Sequence, residues 1–140
     1  NLGIDVDMEF YDFETQKLWF EEKQDHKLPI LVAESENGTI GFATYGSFRQ
    51  KEAYKFTIEH SVYVAEEFLG KGIGKLLLAE LIQLAKNQGY HTMIGAIDAD
   101  NSGSITFHEK FGFKSVGTIR QVGYKFDKWL DLVFMQLILK

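Results

Sequence analysis

EHSVYVAEEFLGKGIGKLLLAELIQL, Glu59 to Leu84, is the stretch whose reading decides the fold of this chain. His60 to Val64 reads as an apolar strand, and Gly70, Gly72 and Gly74 form a glycine loop. The loop opens directly onto an amphipathic helix with Lys75 in its first turn. Glycine lets the backbone turn tightly with successive N–H groups facing outward, and the first N–H groups of a helix have no intrahelical partner. Strand, glycine loop and helix N-terminus in that order predict an anion site that suits phosphate oxygens, although the loop alone would serve equally as a plain helix entry. Two familiar glycine loops do not match. A Walker A loop needs glycine where Leu69 stands and Ser or Thr where Leu76 stands. A dinucleotide fingerprint needs its third glycine at Lys75 and an acid about twenty residues on, and none lies around Ile94.

Upstream of the loop, Tyr54 to Val64 alternates as one long strand, with Phe56, Ile58, His60, Val62 and Val64 on one face and Lys55, Thr57, Glu59 and Ser61 on the other. Glu59 and His60 therefore face opposite ways unless a bulge intervenes. Two further strands are predicted before it, Ile30 to Ser35 and Thr39 to Ser47, joined by Glu36-Asn37-Gly38, whose Asn-Gly pair is a strong hairpin signal. Gly41 and Gly46 thin the second of these, which points to a bulge or a close approach. Asp12 is placed to cap a helix carrying Phe13, Leu18, Trp19 and Phe20 that stops near His26, ahead of Pro29. Downstream, Ile73, Leu76, Leu77, Leu81, Leu84 and Ala85 form a core stripe at helical spacing, ended by Gln88-Gly89. Thr92 to Ile97 then reads as a buried strand, Ser102 to Phe111 as a short helix stopped by Gly112, and Lys114 to Lys125 and Trp129 to Leu139 as two closing strands. The pattern is α/β or α+β, with a sheet of mixed direction.

Composition narrows the function classes. At 140 residues and 45% hydrophobic content the chain is read as one domain with a sizeable core. Its net charge of −5 argues against a nucleic-acid partner. The charge is uneven: residues 1–37 hold ten acids and three bases, whereas 38–140 hold ten acids and twelve bases, so the part with the glycine loop could accept a polyanion, although ordinary surface variation accounts for the difference equally well. Cysteine is absent, which removes disulfides, thiolate nucleophiles and cysteine metal sites and leaves the compartment unmarked, with cytoplasm the simplest expectation. No window of eighteen apolar residues exists, so no membrane partner is expected.

EHSVYV, GKGIGKLL, IDADNSGSITFHEKFGF and GYKFDKWLDLVFMQL, in that order and spacing, resemble the GNAT superfamily of N-acetyltransferases, and within it the phosphinothricin and methionine-sulfone acetyltransferase branch. The resemblance spans Leu18 to Leu139. It implies a central, mixed, mostly antiparallel sheet, splayed near the strand that ends at Val64 and flanked by helices, with acetyl-CoA in the splay. It also implies a single acetyltransferase domain over 1–140 that lacks the family's first strand and helix, and a homodimer. Acetyl would pass directly to the amine of a small amino acid or analogue in a ternary complex, with no metal. For the cofactor, the resemblance carries over the backbone of Val62, Tyr63 and Val64, the loop Gly70, Lys71, Gly72, Ile73, Gly74 and Lys75, and Asn101 and Ser104. Leu69 departs from the Gln or Arg with which the family opens that loop.

Glu59 is the candidate general base, directly or through water, since partial desolvation raises a carboxylate toward neutral pKa; its plain alternative is a surface carboxylate on an amphipathic strand. His108 stands where many superfamily members carry a tyrosine near the sulfur, and could protonate the leaving thiolate, contact the cofactor or simply pack in its helix. His60 reads as a packed strand histidine, and His26 and His91 as loop residues. Arg49, flanked by Phe48 and Gln50, matches the position that holds the substrate carboxylate in this branch, a task suited to a guanidinium fork, though a solvated loop arginine would read the same way. Tyr124, Lys125, Phe126, Trp129 and Asp131 fall in the branch's pocket and dimer signature, and the aromatics among them serve equally as sheet packing.

Two other classes compete. Asp98 to Glu109 fits the twelve-residue EF-hand loop, with oxygen side chains at Asp98, Asp100 and Ser102, Gly103 at the sixth position and Glu109 at the twelfth. Calcium binding of that kind needs an entering helix, and Thr92 to Ile97 favours a strand. The other rival is a non-catalytic acyl-CoA sensor that keeps fold and cofactor site without turnover.

Overall fold

The computed structural model describes residues 28–36 and 38–140. The helix expected after Asp12 lies outside them. Within them the strands are β1 (Ile30–Ser35), β2 (Gly38–Ser47), β3 (Thr57–Val64), β4 (Thr92–Asp98), β5 (Lys114–Lys125) and β6 (Lys128–Ile138), with helices α1 (Ile73–Asn87) after β3 and α2 (Ser102–Lys110) after β4. The six strands form one sheet in the order β1-β2-β3-β4-β6-β5, in which β3 and β4 are parallel and every other neighbouring pair is antiparallel. The mixed, mostly antiparallel sheet with flanking helices is the fold expected from the sequence.

Alternation on β3 holds. Ile58, His60, Val62 and Val64 are buried, while Thr57, Glu59, Ser61 and Tyr63 are half-buried on the opposite face. On the buried face α1 packs with Leu77, Leu78, Leu81 and Ala85 against Ala43, Tyr45, Val62 and Val64, and Met93, Ile97, Phe113 and Met135 continue this core across the sheet. Tyr45 ties β2 to the end of α1 through a hydrogen bond from its hydroxyl to Gln88 Oε1, and an edge contact with Tyr90 lies 5.5 Å away. Burial, and then Tyr90, push that hydroxyl's pKa up to about 12. Gly41 is the close approach anticipated for β2, since a Cβ there would lie 2.8 Å from the Tyr63 carbonyl oxygen. The bulge lies beside it, where pairing skips Ile40 between Ala33↔Gly41 and Glu34↔Thr39.

Two expectations are corrected. Tyr54 is not in β3: Glu52–Tyr54 is a 3₁₀ turn, closed by the Tyr54 N–H on the Lys51 carbonyl and by a Lys55–Glu52 ion pair of 2.7 Å, so the strand begins only at Thr57. Leu76 is not core either. It is 73% exposed, because the buried stripe of α1 runs through Gly74, Leu77, Leu78, Leu81 and Ala85, and Leu76 falls on its flank.

Candidate active site

The site begins where two paired strands separate. β3 and β4 pair from Thr57↔Thr92 to His60↔Gly95 and no further, although β3 stays bonded to β2 as far as Val64 and β4 to β6 as far as Asp98. The sheet therefore opens into a wedge. The Ala65 N–H bonds the Ile40 carbonyl, so with this register the odd residues of β3 turn their peptide groups to β2. Val62 and Val64 turn theirs to the β4 side, into the gap. Unpaired peptide groups in a row can take an extended ligand as an added strand.

At the Val64 end the gap leads to the glycine loop. Gly70 and Gly72 have φ of 79° and 81°, the left-handed region that side chains disfavour, and Gly72 is the N-cap of α1 with no side chain capping it. The first turn of this fifteen-residue helix holds no acid. Its free N–H groups and the positive end of its dipole are thus left for an external anion, with Lys71 and Lys75 exposed beside them. A pocket of about 200 Å³ lies here, lined by Val64, Phe68, Leu69, the loop glycines, Lys75 and, from α2 across the gap, Phe107. A long polar chain ending in phosphate suits this arrangement.

On the face away from α1, Glu59 stands across from Gly46 on β2 and beside Ile94 on β4, one residue before the pairing stops. Glycine at 46 leaves no side chain opposite the carboxylate. Tyr63 stacks on Phe42 on the same face, with ring centroids 5.6 Å apart. Arg49 follows β2 in the exposed loop, its guanidinium 4.8 Å from the Phe48 ring centroid and its Nη1 donating to the Phe48 carbonyl at 3.3 Å, with Gln50 exposed next to it. Asn101 caps α2, its Oδ1 accepting from the Ser104 N–H at 3.0 Å. Ser104 is fully buried.

His108 is fully buried as well and faces His60 rather than the gap. Its Nε2 lies 2.9 Å from His60 Nε2, its Nδ1 lies 2.7 Å from the Ser104 carbonyl, and His60 Nδ1 lies 3.0 Å from the Ile94 carbonyl. This pair and the pocket residue Phe107 were not anticipated together from the sequence. His60 and His108 are separated by 48 residues, and only Gly95, a glycine in a β-branched strand, hinted that something presses on β4.

The segment from Asp98 to Glu109 does not take EF-hand geometry. A strand, β4, enters it, Asp98 Oδ1 accepts from the Asp100 N–H, Asp100 pairs with Lys128 at 2.8 Å, and Asn101 is spent on the helix cap.

Beyond the gap, Asp131 anchors a bulge in β5 by accepting the Gln121 N–H at 2.8 Å, and Gln121 sits at φ 52°. The β5–β6 hairpin turns at Phe126-Asp127, both with positive φ, which leaves Phe126 80% and Trp129 59% exposed.

Residues 4–113 match the acetyltransferase (GNAT) family. The chain is 45% identical over 127 residues to an L-methionine sulfoximine/L-methionine sulfone acetyltransferase of Pseudomonas aeruginosa, covering 90% of this chain and 74% of that one. Among solved structures, an N-acetyltransferase from Staphylococcus aureus superposes with a TM-score of 0.90 at 51% identity, covering 93% of this chain and 79% of that one. A GNAT phosphinothricin acetyltransferase from Sinorhizobium meliloti in complex with acetyl-CoA does so with a TM-score of 0.86 at 37% identity, covering 92% and 70%.

Proposed function

The chain belongs to the acetyltransferase (GNAT) family and transfers acetyl from acetyl-CoA to a small amino-acid-like amine, and on that premise we propose that its acceptor is the α-amine of an amino acid or analogue such as methionine sulfone, methionine sulfoximine or phosphinothricin. The observation that carries this reading is the gap between β3 and β4, with the Val62 and Val64 peptide groups turned into it and the glycine loop at its end. The backbone of Val62, Tyr63 and Val64 holds the pantetheine arm and offers an N–H to the thioester carbonyl. Gly70 to Lys75 hold the pyrophosphate, and Asn101 and Ser104 support the arm from α2. Phe48, Arg49 and Gln50 receive the substrate, with the Arg49 guanidinium on its carboxylate.

Glu59 takes a proton from the ammonium, and the freed amine forms a C–N bond to the acetyl carbon. As the tetrahedral centre collapses the C–S bond breaks, and the second amine proton passes to the thiolate sulfur. The products are the N-acetyl amine and free CoA thiol, with the first proton left on Glu59.

The test is thiol release from acetyl-CoA over a panel of amino acids, phosphinothricin and methionine sulfone; a protein without cysteine contributes no thiol of its own. Release that depends on one or a few of these amines is expected. Acetyl-CoA binding without release on any amine would favour the acyl-CoA sensor, and the absence of binding would sink the reading of the loop.

A second copy of the chain covers the β5–β6 hairpin in this proposal. Val116, Ile119, Val122, Tyr124, Phe126 and Trp129 leave more exposed apolar surface on one edge than a lone domain usually carries. Sedimentation at twice the chain mass is expected, reverting to one mass in Trp129→Glu; a wild-type monomer at micromolar concentration rules the dimer out. A cytoplasmic location without a nucleic-acid partner completes the assignment, in line with the net charge of −5 and, among the described residues, with no helix long and apolar enough to cross a membrane.

A further inference from the structure

At the apex of the wedge the ring contacts do not match the hydrogens that two neutral imidazoles carry. The Ile94 and Ser104 carbonyls can only accept, so the short contacts of 3.0 Å and 2.7 Å each call for a hydrogen on the facing Nδ1. Two Nε2 atoms at 2.9 Å need one more hydrogen between them, or their lone pairs oppose each other. The count is three, and neutral rings supply one each. Ser104 Oγ offers little relief. It stands 3.5 Å from His108 Nδ1, and its donation would still leave that nitrogen's lone pair facing the Ser104 carbonyl at 2.7 Å.

The place is as specific as the count. His60 is the last residue of β3 paired to β4, and its partner is Gly95, where a Cβ would lie 2.7 Å from His60 Cε1. The ring thus fills the space over Gly95 at the point where the strands part. His108 brings α2 to the same point, and the rings of Phe107 and Phe113 pack against the pair. Among the described residues no carboxylate shifts either histidine. Burial lowers the pKa of both rings, and the charge of His108 lowers His60 further, to about 3, so the two do not both carry charge at neutral pH. Burial outweighs the carbonyl bond at each ring taken singly and favours two neutral rings; the short Nε2–Nε2 contact acts the other way, because a neutral pair must either oppose two lone pairs there or break a carbonyl bond.

We propose that His60 and His108 share one extra proton between their Nε2 atoms and act as a positioning pair, pinning β4 and α2 to β3 where the gap opens and placing a positive charge behind the peptide groups of Val62 and Val64. Resting on the acetyl-transfer reading, the charge favours the negative charge that builds on the thioester oxygen and then on the departing sulfur, without either ring touching the substrate.

The proton count is tested on the whole chain labelled with ¹⁵N-histidine, with ring nitrogens assigned through His60→Gln and His108→Gln. At pH 7.5 three of the four ring nitrogens of the pair are expected to be protonated; two would overturn the shared proton. That result needs neither turnover nor acetyl-CoA, so it stands apart from failure of the acetyl-transfer reading. The positioning role is tested in His108→Phe at a temperature where it is folded. There kcat is expected to fall about 10²-fold, while the Kd of acetyl-CoA by calorimetry stays within about threefold. A kcat within threefold of wild type would overturn the role, and if the variant does not fold, the ring spectra still decide the proposal.

Discussion

Glu59→Gln is expected to lower kcat by about 10²- to 10⁴-fold, the range for loss of a positioned general base, and to leave the Kd of acetyl-CoA within about twofold. The substitution keeps size and shape and removes only the ability to take a proton. Its place explains why binding should survive: strict alternation on β3 sends Glu59 to the face opposite Val62 and Val64, and the peptide groups turned into the gap belong to those two residues. Across from it, Gly46 presents no side chain, so an acceptor can approach the carboxylate from the β2 side. A general base in this role also predicts that wild-type kcat/KM falls at acid pH as the carboxylate is protonated, and that the residual activity of the glutamine variant climbs with pH as the amine loses its proton unaided. Activity in Glu59→Gln within threefold of wild type would remove Glu59 from the mechanism. Turnover absent in both proteins, with binding intact in both, would describe a sensor.

What could be read before the structure was what is local. The glycine loop lies between its strand and its helix within one stretch, so Gly72 at the N-cap and the acid-free first turn of α1 follow from composition and order alone. Strand faces were legible for the same reason, because a period of two is visible in Ile58, His60, Val62 and Val64. Periodicity misled where it ran on past its element. Tyr54 and Phe56 continue the alternation of β3, yet the Lys55–Glu52 pair and the 3₁₀ turn take Glu52–Tyr54 out of the sheet. Leu76, in a run of three leucines, could not be told from Leu77 and Leu78 without knowing which way α1 faces. The gap was reached only through resemblance, since a missing pairing leaves no mark on either strand. The histidine pair left only an indirect trace, the glycine at 95 over which the His60 ring lies, because it joins β3 to α2 across 48 residues of chain.

Acid should destabilise this protein more than its exposed carboxylates account for, and the amount counts the protons on that pair. In the unfolded chain both histidines titrate near 6.5. In the folded chain burial and the His108 charge keep His60 from protonating until about pH 3. Between those values the unfolded state binds the extra proton and the folded state does not, so stability falls as pH falls, by up to about 1.4 kcal/mol per pH unit for each proton the fold excludes. The window closes below about pH 3, where both states are protonated. If the pair already shares one proton, the second is excluded while the shared one is held more tightly than in the unfolded chain, so the two effects partly offset, and urea unfolding should show about 1 kcal/mol lost from pH 7 to pH 5 relative to the His60→Gln, His108→Gln double variant. Two neutral rings would exclude up to two protons and lose more, up to roughly 4 kcal/mol over the same interval. Proton uptake on unfolding at pH 5, read in a pH-stat, measures the same difference without the variant: one proton from the pair, or two. No excess acid sensitivity and no uptake would mean that the rings titrate as freely in the fold as in water, which neither a neutral nor a singly protonated buried pair allows.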